Sequence, residues 1–87
     1  MDLQLRDLRV LVTGGSAGIG LATAELLIAE GARVAIATRS PQREAERIGA
    51  VAVAADLATA NGCTAAVAEA IAALGGLDGL VNNVGVA

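Results

Sequence analysis

Followed from the start, the apolar positions of the chain alternate between two periods. Residues 9–12 (RVLV) form a short run with no polar alternation, the pattern of a strand covered on both faces. Residues 19–30 then place Ile19, Ala22, Leu26 and Ala29 at helical spacing, which predicts a helix with that stripe turned inward and Gly31 as the residue that ends it. Residues 33–38 (RVAIAT) predict a second strand. Ser40 is placed to cap a short helix with Pro41 at its first position, running to about Ile48 and closed by Gly49. A third strand is predicted over 50–55 (AVAVAA), a third helix over 59–74 starting near the Asn61-Gly62 turn and stopped by Gly75-Gly76, and a fourth strand over 79–82.

The resulting order, β-α-β-α-β-α-β without an internal linker, implies a parallel sheet joined by right-handed crossovers. The expected fold is therefore α/β, a half-Rossmann parallel sheet of strand order 3-2-1-4 in a single domain over residues 1–87. The first two helices would cover one face and the third the other. The jump from third strand to fourth would open a crevice at the carboxyl ends, the place where such sheets bind nucleotides.

Composition narrows the partners. Hydrophobic residues make up 55% of the 87 and none is aromatic, so the core must be built from Ala, Val, Leu and Ile. A chain this short buries only roughly 60–65% of the surface its unfolded form exposes, which leaves a thin margin of stability. A net charge of -3 with the six arginines scattered argues against nucleic acid and anionic membranes as partners. No apolar segment of signal-peptide type follows Asp2 and Arg6, and the longest near-apolar stretch, 48–55, is too short to span a membrane. Cys63 is the single cysteine and there is no histidine, so neither an intrachain disulfide nor a zinc site is expected. A reducing, cytoplasmic setting fits that usage. Cys63 falls in or beside the first turn of the third helix, where a thiol pKa can be lowered, but no partner residue accompanies it and packing is the expected role.

The glycines of Thr13 to Gly20, TGGSAGIG, stand between the first strand and the first helix. Such a turn exposes backbone N–H groups at a helix N-terminus, where unpaired donors and the macrodipole favour a phosphate. The spacing G-x-G-x-x-G is broken, because Thr23 follows Gly18 and Gly20 at the third position. A Walker A loop is excluded outright by the absence of lysine, and with it nucleotide hydrolysis by that mechanism.

The spacing that fits is Thr-Gly-x-x-x-Gly-x-Gly. Together with Thr38-Arg39 at the end of strand two, Asp56-Leu57 after strand three and Asn82-Asn83-Val84-Gly85 after strand four, it resembles the short-chain dehydrogenase/reductase family over nearly the whole chain. The resemblance implies a cofactor turn carrying Gly14, Ser16, Gly18, Ile19 and Gly20, an adenine pocket at Asp56 and Leu57, and further cofactor contacts at Asn82, Val84 and Gly85. Asn83 would tie neighbouring strands together. Val84 departs from the family's usual alanine, and its added methyl groups would narrow the space beside the nicotinamide ribose. Taken singly, the residues also admit plainer roles: close packing for the glycines, a loop cap for Asp56, a solvated surface for Arg39.

Cofactor preference follows from charge at the end of strand two, where a carboxylate would bind the 2′-hydroxyl of NAD and repel the 2′-phosphate of NADP. Thr38 is neutral there and Arg39 offers a guanidinium, so NADP(H) is favoured over NAD(H), with Arg39 and either Ser16 or Thr38 toward the extra phosphate. Arg43 lies one turn on, but Glu44 and Glu46 beside it suit a solvated charged face.

In the family, hydride transfer between nicotinamide and a carbonyl or alcohol uses a Tyr, a Lys and a Ser. This sequence has no Tyr and no Lys, and its two serines, Ser16 and Ser40, belong to the glycine turn and a helix start, so no catalytic residue is assigned. The expected identity is the NADP(H)-binding, apparently truncated portion of an oxidoreductase. Alternatives are a non-catalytic nucleotide-binding module and a self-associating fragment without cofactor. The expected partners are a dinucleotide and, along the open edge of strand four, a C-terminal complement or another copy of the chain.

Overall fold

The computed structural model describes residues 6–14 and 18–82. Seven elements follow one another: β1 (Arg9–Thr13), α1 (Gly18–Ala29), β2 (Arg33–Thr38), α2 (Gln42–Ile48), β3 (Val51–Ala54), α3 (Ala60–Leu74) and β4 (Gly79–Asn82). The four strands form one parallel sheet in the order β3-β2-β1-β4. The topology expected from the alternation is the one observed.

Period-two alternation divides the sheet's side chains between two cores. Val10, Val12, Val34 and Ile36 point to one face and pack with Ala24 of α1 and Ala45 of α2, with Leu27, Ile28 and Ile48 closing around them. Leu11, Ala35, Ala37 and Val53 point to the other, against Ala66, Ala70 and Leu74 of α3. Small residues at the helix contacts let the backbones lie close to the sheet, which is how a core without aromatic rings is filled.

The inner face of α1 differs from the stripe expected. Ile19 is 78% and Leu26 63% exposed, and Ala22 and Ala29 also face solvent. The helix instead buries Gly20 and Ala24. Of its twelve residues only Thr23 and Glu25 are polar, so apolar spacing alone singles out no face. Close approach to the sheet decides, and it selects the smallest side chains.

Three boundaries also move. Helix α2 has Pro41, not Ser40, at its cap position with no side-chain cap bond, and Pro41 takes helical angles while its carbonyl accepts the amide of Ala45 at 2.9 Å. Helix α3 starts from Thr59, whose hydroxyl accepts the amide of Gly62 at 2.9 Å, so Asn61 and Gly62 lie inside its first turn. Strand three is shorter than predicted by one residue at each end.

At the amino ends of the strands, Arg9 and Asp78 clamp β1 to the turn before β4. Arg9 Nε donates to Asp78 Oδ2 at 2.9 Å and Nη2 to Oδ1 at 3.1 Å, while the Arg9 amide reaches Oδ2 at 2.8 Å. Arg9 Nη1 also donates to the Gly75 carbonyl at 3.0 Å, and the Asp78 amide to the Arg9 carbonyl at 2.7 Å. The side-chain and backbone hydrogen bonds from Arg9 hold the Asp78 carboxyl down at about 2, and the same pairing raises Arg9.

Candidate functional site

The carboxyl ends of β1, β2 and β3 converge on a cleft of about 310 Å³. Gly14 follows β1, Thr38 and Arg39 close β2, and Ala55 to Ala58 leave β3; all of them line it. Five of the residues expected at a nucleotide site, Gly14, Thr38, Arg39, Asp56 and Leu57, are therefore brought together. The reason is register: Thr13 pairs with Ala37, and Thr38 with Ala54, so the three chains leave the sheet at one level.

The 55–58 turn is held by the start of α3. Asp56 Oδ1 accepts the Ala58 amide at 3.0 Å, and the Thr59 hydroxyl lies 3.3 Å from the Asp56 carbonyl oxygen. Gly62 sits directly under that carbonyl, where any Cβ would collide with the oxygen. Cys63, exposed as a residue, places its Sγ 3.4 Å from the Leu57 carbonyl, and thus anchors the same turn from α3.

Across the mouth of the cleft, Arg39 Nη2 stands 3.5 Å from Asp56 Oδ1, with side chains 78% and 50% exposed. Sequence reading assigned these two residues to separate tasks and missed their pairing. The pairing follows from the β2–β3 register, which only the assembled sheet fixes.

A second, smaller cleft of about 170 Å³ lies on the α3 side, lined by Thr13, Leu57, Cys63, Val67, Leu80 and Asn82. Thr13, only 8% exposed, donates its hydroxyl to Asn82 Oδ1 at 2.9 Å and so fixes the end of β4 against the end of β1. That tie is made by Thr13 and Asn82; Asn83, expected to supply one, lies outside the described residues, as do Ser16, Val84 and Gly85.

Gly18, Ile19 and Gly20 open α1. Gly18 has φ +58°, a conformation side chains disfavour, and a Cβ there would meet nothing within 4 Å among the described residues. A phosphate needs backbone donors that no side chain covers, and a 2′-phosphate needs a cation at the ribose end. The bare backbone at Gly18 and the guanidinium of Arg39 suit these requirements, while the Gly14 amide is already given to the Ala37 carbonyl at 2.8 Å. Among the described residues no cluster of three or more acidic, cysteine or histidine side chains could hold a metal, and no helix is long and apolar enough to cross a membrane.

The sequence model of the family described as short chain dehydrogenase matches residues 8–87. The chain belongs to the short-chain dehydrogenase/reductase family. Among its relatives is 2,5-dichloro-2,5-cyclohexadiene-1,4-diol dehydrogenase of Sphingobium indicum, 43% identical over 79 residues that cover 85% of this chain and 32% of that protein. The TT0495 protein of Thermus thermophilus superposes with a TM-score of 0.85 at 48% identity, covering 91% of this chain and 33% of that one. A short-chain dehydrogenase of Burkholderia cenocepacia, solved in complex with NADP, gives 0.84 at 43% identity and covers 94% and 37%. The chain thus spans about a third of the length of these relatives, a region of an oxidoreductase family with a Rossmann-like, nucleotide-binding fold.

Proposed function

We propose that this chain is the coenzyme-binding part of an NADP(H)-dependent oxidoreductase that moves hydride between nicotinamide and a carbonyl or alcohol. The observation that carries the proposal is the cleft at the carboxyl ends of β1, β2 and β3, where glycine backbone meets Arg39 and no carboxylate ends β2. In this reading Gly14, Ser16, Gly18, Ile19 and Gly20 receive the diphosphate, Asp56 and Leu57 the adenine, and Asn82, Val84 and Gly85 the nicotinamide side. Arg39, with Thr38 or Ser16, takes the 2′-phosphate. The bound nicotinamide would supply the hydride. The Tyr and Lys that the family uses have no counterpart among these 87 residues, so in this reading this part of the protein binds and orients while other sequence reacts. The reducing, cytoplasmic setting belongs to the same reading.

Calorimetric titration of the chain with NADPH and NADH tests it. The expected result is tighter binding of NADPH, weakened about tenfold or more in Arg39→Ala, the scale of losing a hydrogen bond to a charged group. No binding of either nucleotide by a folded chain would overturn it.

A second reading rests on β4. Among the described residues it ends the sheet, and its Leu80 is 53% exposed on the face that α3 covers elsewhere. An open edge with apolar surface beside it recruits another strand or helix, from a complementary polypeptide or a second copy. Light scattering after size exclusion separates the two: a dimer of the chain alone favours the second copy, and a monomer that captures the remainder of a relative favours the complement.

A further inference from the structure

We propose that Asp56 is a specificity-determining residue that restrains the preference for 2′-phosphorylated nucleotides by pairing with Arg39 at the mouth of the cleft. The proposal rests on the nucleotide-binding reading above and adds to it a competition within the site.

Thr38 pairs with Ala54, and the Ala55 amide donates to the Thr38 carbonyl at 2.9 Å, so Arg39 and Asp56 emerge side by side from neighbouring strands. The carboxylate is not free to swing away. Its Oδ1 holds the Ala58 amide at 3.0 Å, and its backbone is seated on Gly62, so leaving Arg39 would undo the turn. Arg39 by contrast is attached at the end of a strand and reaches Asp56 through a single long contact of 3.5 Å.

A phosphate monoester brings close to two negative charges and seeks the same guanidinium. It must then draw Arg39 from Asp56 and lie near a carboxylate that stays in place. A ribose 2′-hydroxyl meets neither cost. The discrimination that an acidic residue at the end of β2 would impose fully is thus imposed in part from β3, one strand away. Two charges against one, in water at physiological salt, amount to roughly a two- to sevenfold change in relative affinity.

Adenosine 2′,5′-bisphosphate and adenosine 5′-monophosphate differ only in the 2′-phosphate and are the probes. Both are titrated calorimetrically into the 87-residue chain and into Asp56→Asn, Arg39→Ala and the double variant. Asparagine keeps an oxygen for the Ala58 amide, so the turn is preserved while the charge is removed. The expected result is a bisphosphate-to-monophosphate affinity ratio about two- to sevenfold higher in Asp56→Asn, with a smaller rise in the Arg39→Ala background. An equal change for both ligands would assign Asp56 to the shared adenosine alone and overturn the proposal, while leaving nucleotide binding intact. A fall in the ratio would make Asp56 a support for Arg39 and overturn it as well. Failure of a folded chain to bind either ligand would overturn the nucleotide reading and this proposal with it.

Discussion

Two arginine–aspartate pairs lie at opposite ends of the same sheet and are built differently. At the amino ends, Arg9 meets Asp78 through two side-chain bonds of 2.9 and 3.1 Å, with side chains 35% and 33% exposed, and backbone amides and carbonyls take most of the remaining polar capacity. At the carboxyl ends, Arg39 meets Asp56 through one contact of 3.5 Å in far more open surroundings. A planar guanidinium engaged on both arms locks two elements together. One engaged on a single arm keeps donors for something that arrives. On the proposed nucleotide-binding reading the difference divides the labour of this fold: its amino end is fastened, and its carboxyl end is arranged for a ligand.

The sharpest way to break the receptive end is at Gly62. Alanine there drives a Cβ into the Asp56 carbonyl oxygen, and a backbone oxygen cannot rotate aside. Overpacking of this kind costs about 1–3 kcal/mol, against a total of roughly 4–13 kcal/mol for a domain of this length. Gly62→Ala is therefore expected to lower the urea midpoint substantially and to displace the 55–58 turn. Unchanged amide shifts for Asp56 to Ala58 in the variant would refute that account of the turn.

The fastened end is expected to fail in acid. Because Asp78 titrates in the folded chain at about 2, below its ordinary value near 3.8, the unfolded chain takes up the proton first as pH falls. The stabilisation from the Arg9–Asp78 pair is then complete above about pH 4 and is lost between about pH 4 and pH 2. Asp78→Asn should melt lower than the parent at pH 7, by less than Gly62→Ala does. The gap should close as pH drops through that window. A gap that stays constant from pH 7 to pH 2 would show that the charge of Asp78 contributes nothing to the fold.

What could be read in advance follows the same division. Strand order was legible because alternating strands and helices with right-handed crossovers leave few arrangements, and the side chains of 33–38 had only to alternate faces to make both cores. The inner face of α1 was not, since a helix apolar all round carries no periodic signal and only packing against the sheet chooses Gly20 and Ala24. Residue types at the cleft were legible one by one: Gly14, Arg39 and Asp56 each stand next to a strand end. Their mutual geometry was not. Arg39 and Asp56 are 17 positions apart, Arg9 and Asp78 69, and Thr13 and Asn82 69. Each pairing exists only because strand register aligns the ends, and register is a property of the assembled sheet.

The smallest effect sharpens the comparison most. If the carboxyl-end pair is arranged for a ligand and not for the fold, removing either member should leave the empty chain as stable as before. Exposed ion pairs contribute about 0–1 kcal/mol, because water screens the charges and two long side chains lose freedom in meeting. Arg39→Ala and Asp56→Asn are accordingly expected to shift the urea midpoint by less than the scatter between preparations, and raising salt from about 0.1 to 1 M, which shortens the screening length from about 10 to 3 Å, should not separate them from the parent. The same two substitutions are the ones expected to move nucleotide affinity. A loss of stability in Arg39→Ala as large as that in Asp78→Asn would mean that both ends of the sheet are fastened alike, and the receptive end would have to be sought elsewhere in the molecule.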